Sequence, residues 1–129
     1  MPITYNVHNH GHTIIATASG AVTGGEFVKY ELAHTNDATI KSPTSELLVV
    51  REGALRSITK DDIEEVVQQR KTRPNPPMLH KCAIVISPED TKSWEIAKFY
   101  EGMAKLHYPK NVIVFGDERI ARIWLGIEE

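Results

Sequence analysis

Three imidazoles crowd the stretch "NVHNHGHTII", residues 6–15: His8, His10 and His12. Neutral imidazole binds zinc, copper or nickel, and a stable site needs three or four such donors. On a regular strand alternate side chains share a face, so the three rings would point together. Asn9-His10-Gly11, however, has the composition of a hairpin turn. His8 and His12 then face each other across a hairpin, with His10 at its tip. Two cross-strand imidazoles make an adventitious metal site, not a physiological one. No carboxylate or thiol lies close by in sequence, so neither a metal nor a cofactor is expected.

Other residues could carry chemistry. His80 and Cys82 stand two apart and would face the same way on a strand. A Cys–His pair is nucleophilic only when a third group orients the imidazole, and a buried cysteine ordinarily behaves as a small hydrophobe. In "GDERIAR", Asp117, Glu118 and Arg119 follow an expected parallel strand and open a helix, the edge at which open α/β sheets bind ligands. Asp117 and Glu118 would repel an anion there, and a capping role explains Asp117. "VTGGEF" lacks the spacing and the lysine of a phosphate-binding loop. Arg70, Lys71, Arg73 and Lys81 gather around a proline-rich loop and read as a solvated charged segment. No nucleophile–base pair and no carboxylate pair stands out, so no catalysis is expected.

The 129 residues suit a single domain spanning 1–129. With 41% hydrophobic and 25% charged residues, the chain can bury one core without staples. A net charge of −2 gives no reason to expect a nucleic acid or an anionic membrane as partner. The lone Cys82 fits a reducing compartment. "MPITYNVHNH" has no signal-peptide pattern, and no apolar run reaches the roughly 18–20 residues of a membrane helix. A cytoplasmic protein with no membrane insertion is expected.

Periodicity and caps give the elements that must position these residues. "ITYNV" (3–7) and "TIIATAS" (13–19) form a hairpin. Thr23 and Glu26 make a capping box that starts a helix over 23–34, although Gly24 and Gly25 weaken its first turn. "ELLVV" (46–50) and "CAIVIS" (82–87) are apolar enough to be buried on both faces. Thr59 caps a helix over 59–71 with Ile63, Val66, Val67 and Arg70 on one face. Prolines exclude regular structure from 72–79. A helix over 91–107 turns Ile96, Ala97, Tyr100, Met103 and Ala104 inward, leaving Phe99 off that face. A strand over 111–115 leads to a helix over 118–125, capped by Asp117 and closed by Gly126. There Ile120, Ile123 and Trp124 recur at i, i+3 and i+4, a stripe expected to face the core.

The order β-β-α-β-α-β-α-β-α, with "IIATASGAVTGGEF", "SWEIAKFYEGMA" and "VIVFGDERIARIWLG", resembles the small STAS-like proteins related to the anti-sigma-factor antagonist SpoIIAA. The second segment is similar to their aromatic-Gly-x-Ala-Arg-x-aromatic helix, with Lys98 in place of the arginine. The resemblance implies an α/β fold: one mixed sheet of four to five strands, with about four helices mainly on one face. It also implies a non-enzymatic regulatory role. In the antagonists a serine within Asp-Ser-Ser-Gly is phosphorylated. Here "RSITKDD" places Ile58, Thr59 and Lys60 on the Asp and the two serines, so the acceptor position carries Lys60 and only Ser57 and Thr59 offer hydroxyls.

The expectation is therefore a regulatory, protein-interaction module that forms a homodimer. The alternative is a carrier holding an apolar or amphipathic ligand between helices and sheet. Partner or ligand contacts are expected at Ser57, Thr59, Lys60, Trp94, Phe99 and Asp117.

Overall fold

A computed structural model describes residues 2–71, 80–107 and 110–127. The proline-rich 72–79 loop, Arg73 included, and the side chains of Arg70 and Lys71 lie outside the described residues. Among those described, the chain is an α/β fold of one mixed five-stranded sheet and four helices. Strands β1 (Ile3–His8) and β2 (Thr13–Ala18) pair antiparallel as a hairpin. Then β3 (Thr44–Val50), β4 (His80–Val85) and β5 (Asn111–Phe115) add in parallel, in the order β1-β2-β3-β4-β5.

Helices α1 (Gly24–Asn36), α2 (Lys60–Lys71) and α3 (Thr91–His107) each join neighbouring parallel strands. Because every crossover steps the same way along the sheet, a constant handedness puts all three helices on one face. Helix α4 (Glu118–Leu125) follows the last strand, escapes that constraint and packs on the opposite face, against β3, β4 and β5. The strands divide their side chains accordingly. Leu48, Val50, Cys82, Ile84, Val112 and Val114 join the large core under α1–α3. Leu47, Ala83 and Val85 join a smaller core with Ala121 and Leu125. Two covered faces explain why β3 and β4 read as unbroken apolar runs.

Local chemistry sets the element ends. Thr23 and Glu26 exchange both bonds of a capping box, and Thr59 does the same with Asp62 at the start of α2. Asp117 accepts from the backbone of Arg119 and Ile120, and Gly126 ends α4 at φ 75°. Gly24 has a packing role as well as an entropic cost, since a Cβ there would collide with the Asp62 side chain. The hairpin differs from the expected one. Asn9, His10 and Gly11 are all left-handed, the register pairs His8 with Thr13, and Gly11 lies so close to Thr39 O that no Cβ fits. His8 and His12 are thus not cross-strand partners.

The stripe expected to dock α4 is also corrected. Ala121 and Leu125 face the sheet, Trp124 is half-buried, and Ile120 and Ile123 are 55% and 70% exposed. The period was right and the direction was not. The inner stripe is the one carrying the small Ala121, which lets the helix approach the sheet closely.

Candidate functional site

The residues singled out from sequence do not converge. Ser57 and Thr59 are exposed at the start of α2, and the Thr59 hydroxyl accepts from Asp62 N. Lys60 and Phe99 do meet, with the ammonium 5.5 Å from the ring centroid of the half-buried Phe99. Trp94 is half-buried against the large core. Asp117 is exposed, its carboxylate engaged in capping. His8 and His10 are exposed, and His12 Nδ1 stands 2.9 Å from Pro43 O. Among the described residues no group of three or more His, Cys, Asp or Glu is placed to hold a metal ion. The carboxyl edge of the parallel strands also lacks a crevice-forming reversal of strand order, the usual origin of a ligand site there.

The unusual chemistry lies at the opposite edge, where β3, β4 and β5 begin. Glu46, second residue after the buried Thr44, turns into the core under α1 and is wholly buried. Its Oε2 accepts from Tyr30 Oη at 2.6 Å. Its Oε1 meets His80 Nε2 at 2.8 Å and the Lys110 ammonium at 3.0 Å. Lys110, 2% exposed, also reaches Glu31 on α1 and Tyr100 on α3. His34, one turn beyond Tyr30, places Nδ1 3.9 Å from Glu46 Oε2. Carboxylates, an ammonium, imidazoles and phenols thus share one dry compartment, where unpaired charge is expensive.

The electrostatics are mutually consistent. Burial pushes the Glu46 carboxyl upward, but Lys110, His34 and the His80 hydrogen bond outweigh it and hold Glu46 well below the usual carboxylate range. Burial likewise opposes charge on Lys110, yet Glu31 and Glu46 keep it well above its ordinary value. Burial and then Lys110 depress His80, against the pull of Glu46. The His80–Glu46 contact is therefore a hydrogen bond from a neutral imidazole and not an ion pair. A carboxylate can only accept, so Nε2 carries the proton. His80 Nδ1 is buried with no hydrogen-bond partner, a state that ordinarily costs about 1–3 kcal/mol. Cys82, on the same face as expected, has its thiol pushed well up by burial, then by Glu46, and stays protonated.

His80 is also part of the wall of a groove of about 440 Å³ at this edge, shared with Thr44, Ser45, Lys81, Asn111 and Leu125. By contrast, the hollow between helices and sheet around Leu48, Ile84 and Ile96 is about 10 Å³, and one between β1 and α1 beside Ile3, Tyr5 and Tyr30 is about 130 Å³. Sequence reasoning found His80 but missed Glu31, Glu46 and Lys110. Only the polar interruptions at Glu31 in an apolar helix face and at Glu46 beside "LLVV" signalled them.

Comparison of the chain with protein-family models, with curated proteins and with solved structures finds no match in any of the three.

Proposed function

We propose that this chain is a non-enzymatic interaction module of the STAS-like kind, which associates with a second copy of itself through the outer flank of α4. The observation that carries the reading is the exposure of Ile120 and Ile123 on α4, which among the described residues is the one helix on its sheet face. They sit three apart, on one flank with Trp124. The Trp124 ring lies 5.6 Å from that of Phe115. Paired apolar residues beside an aromatic anchor are the makings of an interface centre. The flank is also complementary to itself. Arg122 Nε bonds Glu118 Oε2 at 3.0 Å within the helix, and a two-fold, antiparallel contact would set this pair beside the same pair of the second copy, so that each Glu118 also meets the other copy's Arg122.

Two further observations support this reading over its rivals. Between helices and sheet, the hollow around Leu48, Ile84 and Ile96 is about 10 Å³ and the one between β1 and α1, beside Ile3, Tyr5 and Tyr30, about 130 Å³, both below the size usual for a carried small molecule. The groups with perturbed protonation, Glu46, His80 and Lys110, are engaged with one another inside the fold. Among the described residues no helix is long and apolar enough to cross a membrane.

Sedimentation velocity tests the proposal. The wild type should sediment as a dimer at micromolar concentration, and Ile123→Glu should be monomeric with an unchanged melting temperature. A wild type that stays monomeric at millimolar concentration, or a dimer that survives Ile120→Glu and Ile123→Glu together, would overturn it.

A further inference from the structure

The fold treats the two edges of its sheet differently. At β5 the outward Val114 N–H is taken by Glu101. At the other end of the strand order, β1 runs Ile-Thr-Tyr-Asn-Val-His in unbroken register with β2. It carries no lysine, no internal proline and no bulge, the usual devices that keep a free edge from pairing. Its hydrogen-bonding phase follows from two contacts. Ser19 N donates to Pro2 O, and Ala18 O accepts from Arg51 N on the β3 side. Along an antiparallel ladder, bonded and outward residues alternate. Thr4, Asn6 and His8 therefore bond to β2, and Ile3, Tyr5 and Val7 direct their N–H and C=O groups outward, about 7 Å apart.

Beside that edge lies the hollow of about 130 Å³ between β1 and α1, walled by Ile3, Tyr5, Tyr30, Ala33 and Lys29. It is below the range of small-molecule sites and suits a single side chain. Ile3 and Tyr5 turn their side chains to this α1 face and pack on the large core. Residues paired across an antiparallel ladder share a face, so one incoming residue can both bond the edge at Tyr5 and fill the hollow. The aromatic floor is fixed in advance. Tyr5 Oη donates to Asp37 at 2.9 Å, and its ring meets those of Tyr30 and His34 edge-on at 6.1 and 5.0 Å. At the rim the Glu26 carboxylate accepts from Thr23 N, while Lys29 is exposed.

We propose that β1 takes up an extended segment of a partner protein as an added antiparallel strand, with an aliphatic side chain in the hollow and, two residues away on the same face, a carboxylate against Lys29. The backbone bonds supply affinity, and the hollow and Lys29 supply selection. Antiparallel pairing gives the stronger ladder per residue, which matters most for a short strand. The acidic requirement decides against a second copy of β1 as occupant, because Ile3–His8 carries no carboxylate to offer Lys29. The inference rests on reading the chain as an interaction module, but not on the α4 contact, which lies on the other face of the sheet.

The probe is the synthetic peptide acetyl-Ser-Val-Thr-Leu-Thr-Glu-Ser-amide, titrated into the isotopically labelled full chain by NMR. Saturable shifts should centre on Ile3, Tyr5, Val7 and Ala33. The amide protons of Ile3, Tyr5 and Val7 should exchange about tenfold more slowly at saturation. The same peptide N-methylated at Val, Leu and Glu keeps its side chains but cannot donate to the edge, and should not saturate. Lys29→Glu, at an exposed position, should weaken the peptide several-fold, and exchanging the peptide's Glu for Lys should restore the affinity. Ala33→Met, which fills the hollow from the helix side, should weaken it as well. Neither the wild-type exchange readout nor the N-methyl control depends on a variant folding. No saturable shift up to millimolar peptide, equal binding of the N-methylated peptide, or an affinity indifferent to the Lys29 charge swap would each overturn the proposal. So would protection of the same three amides that grows with protein concentration in the absence of peptide, since that assigns the edge to a second copy. The titration is repeated in Ile123→Glu. Peptide binding with no dimer in either protein refutes the α4 contact alone, and a dimer without peptide binding refutes addition at β1 alone.

Discussion

Lys110 carries the largest consequence at the scale of a single residue. Its ammonium is buried against Glu31 and Glu46. Removing one partner of such a group leaves the opposite charge dry and uncompensated, which typically costs about 3–5 kcal/mol. Lys110→Met should lose stability in that range by chemical denaturation. Adding Glu46→Gln should recover part of the loss, because the amide removes one stranded charge. If the two losses simply add, the charges are not coupled and the dry cluster described here is wrong. The individual positions His80 and Cys82 could be read from sequence as sharing a strand face. That His80 meets Glu46 could not, because the bond spans 34 residues and depends on the register of β3 against β4.

At the scale of elements, α4 and β5 show how far a pattern reaches. A three-point apolar stripe on a terminal helix identifies an amphipathic helix but not which flank turns in. Since Trp124 is only half-buried, Trp124→Ala should cost about 1–3 kcal/mol, below the 3–5 kcal/mol or so usual for a fully buried aromatic. Leu125→Ala, at a buried position, should cost about 2–5 kcal/mol, and monomeric Ile123→Ala within about 0.5 kcal/mol of zero. Chemical denaturation of the three variants gives the ranking. A costlier Ile123 than Leu125 would mean that the helix is rotated. The outer strand β5 offers the opposite lesson, since an apolar edge strand invites pairing with another chain. Glu101 on α3 accepts from Val114 N at 2.7 Å and thereby occupies that edge. Glu101→Leu should cost about 1–3 kcal/mol through the stranded N–H and raise aggregation seen by light scattering. Glu101→Gln, which keeps an acceptor, should do neither, and aggregation of both alike would remove Glu101 as the edge guard.

For the whole molecule, the buried cluster sets a pH window of stability. His80 is depressed in the folded state from an ordinary value near 6.5, so the unfolded chain binds the extra proton first and stability falls as pH drops below about 6.5. Glu46, also depressed, adds a second loss at lower pH, as its folded carboxylate is finally protonated. Lys110 is raised above 10.5 and Tyr30 above 10.0. Each therefore contributes stability that is complete below those values and is lost as pH rises past them. Melting temperature against pH should show a plateau from about 6.5 to 10 with a decline on both sides. In His80→Gln the acid decline should begin at lower pH. An unchanged acid limb in that variant would assign it to other groups.

The sequence by itself determined the order of elements, most of their boundaries and the two-sided burial of β3 and β4. Those depend on contacts within a few residues: Thr23 with Glu26, Asp117 with its own helix, Gly126 in its left-handed turn, and apolar runs too continuous to face water. The tertiary structure alone decided three things. It put α4 on the face opposite α1–α3, since that helix begins after the last crossover. It turned Ile120 and Ile123 outward, since Ala121 makes the closer fit to the sheet. And it gathered Glu31, Glu46, His80 and Lys110, up to 79 residues apart in chain, at one strand edge. Burial energy depends on what surrounds a side chain in space, and for residues joined only through strand register no local pattern carries that information.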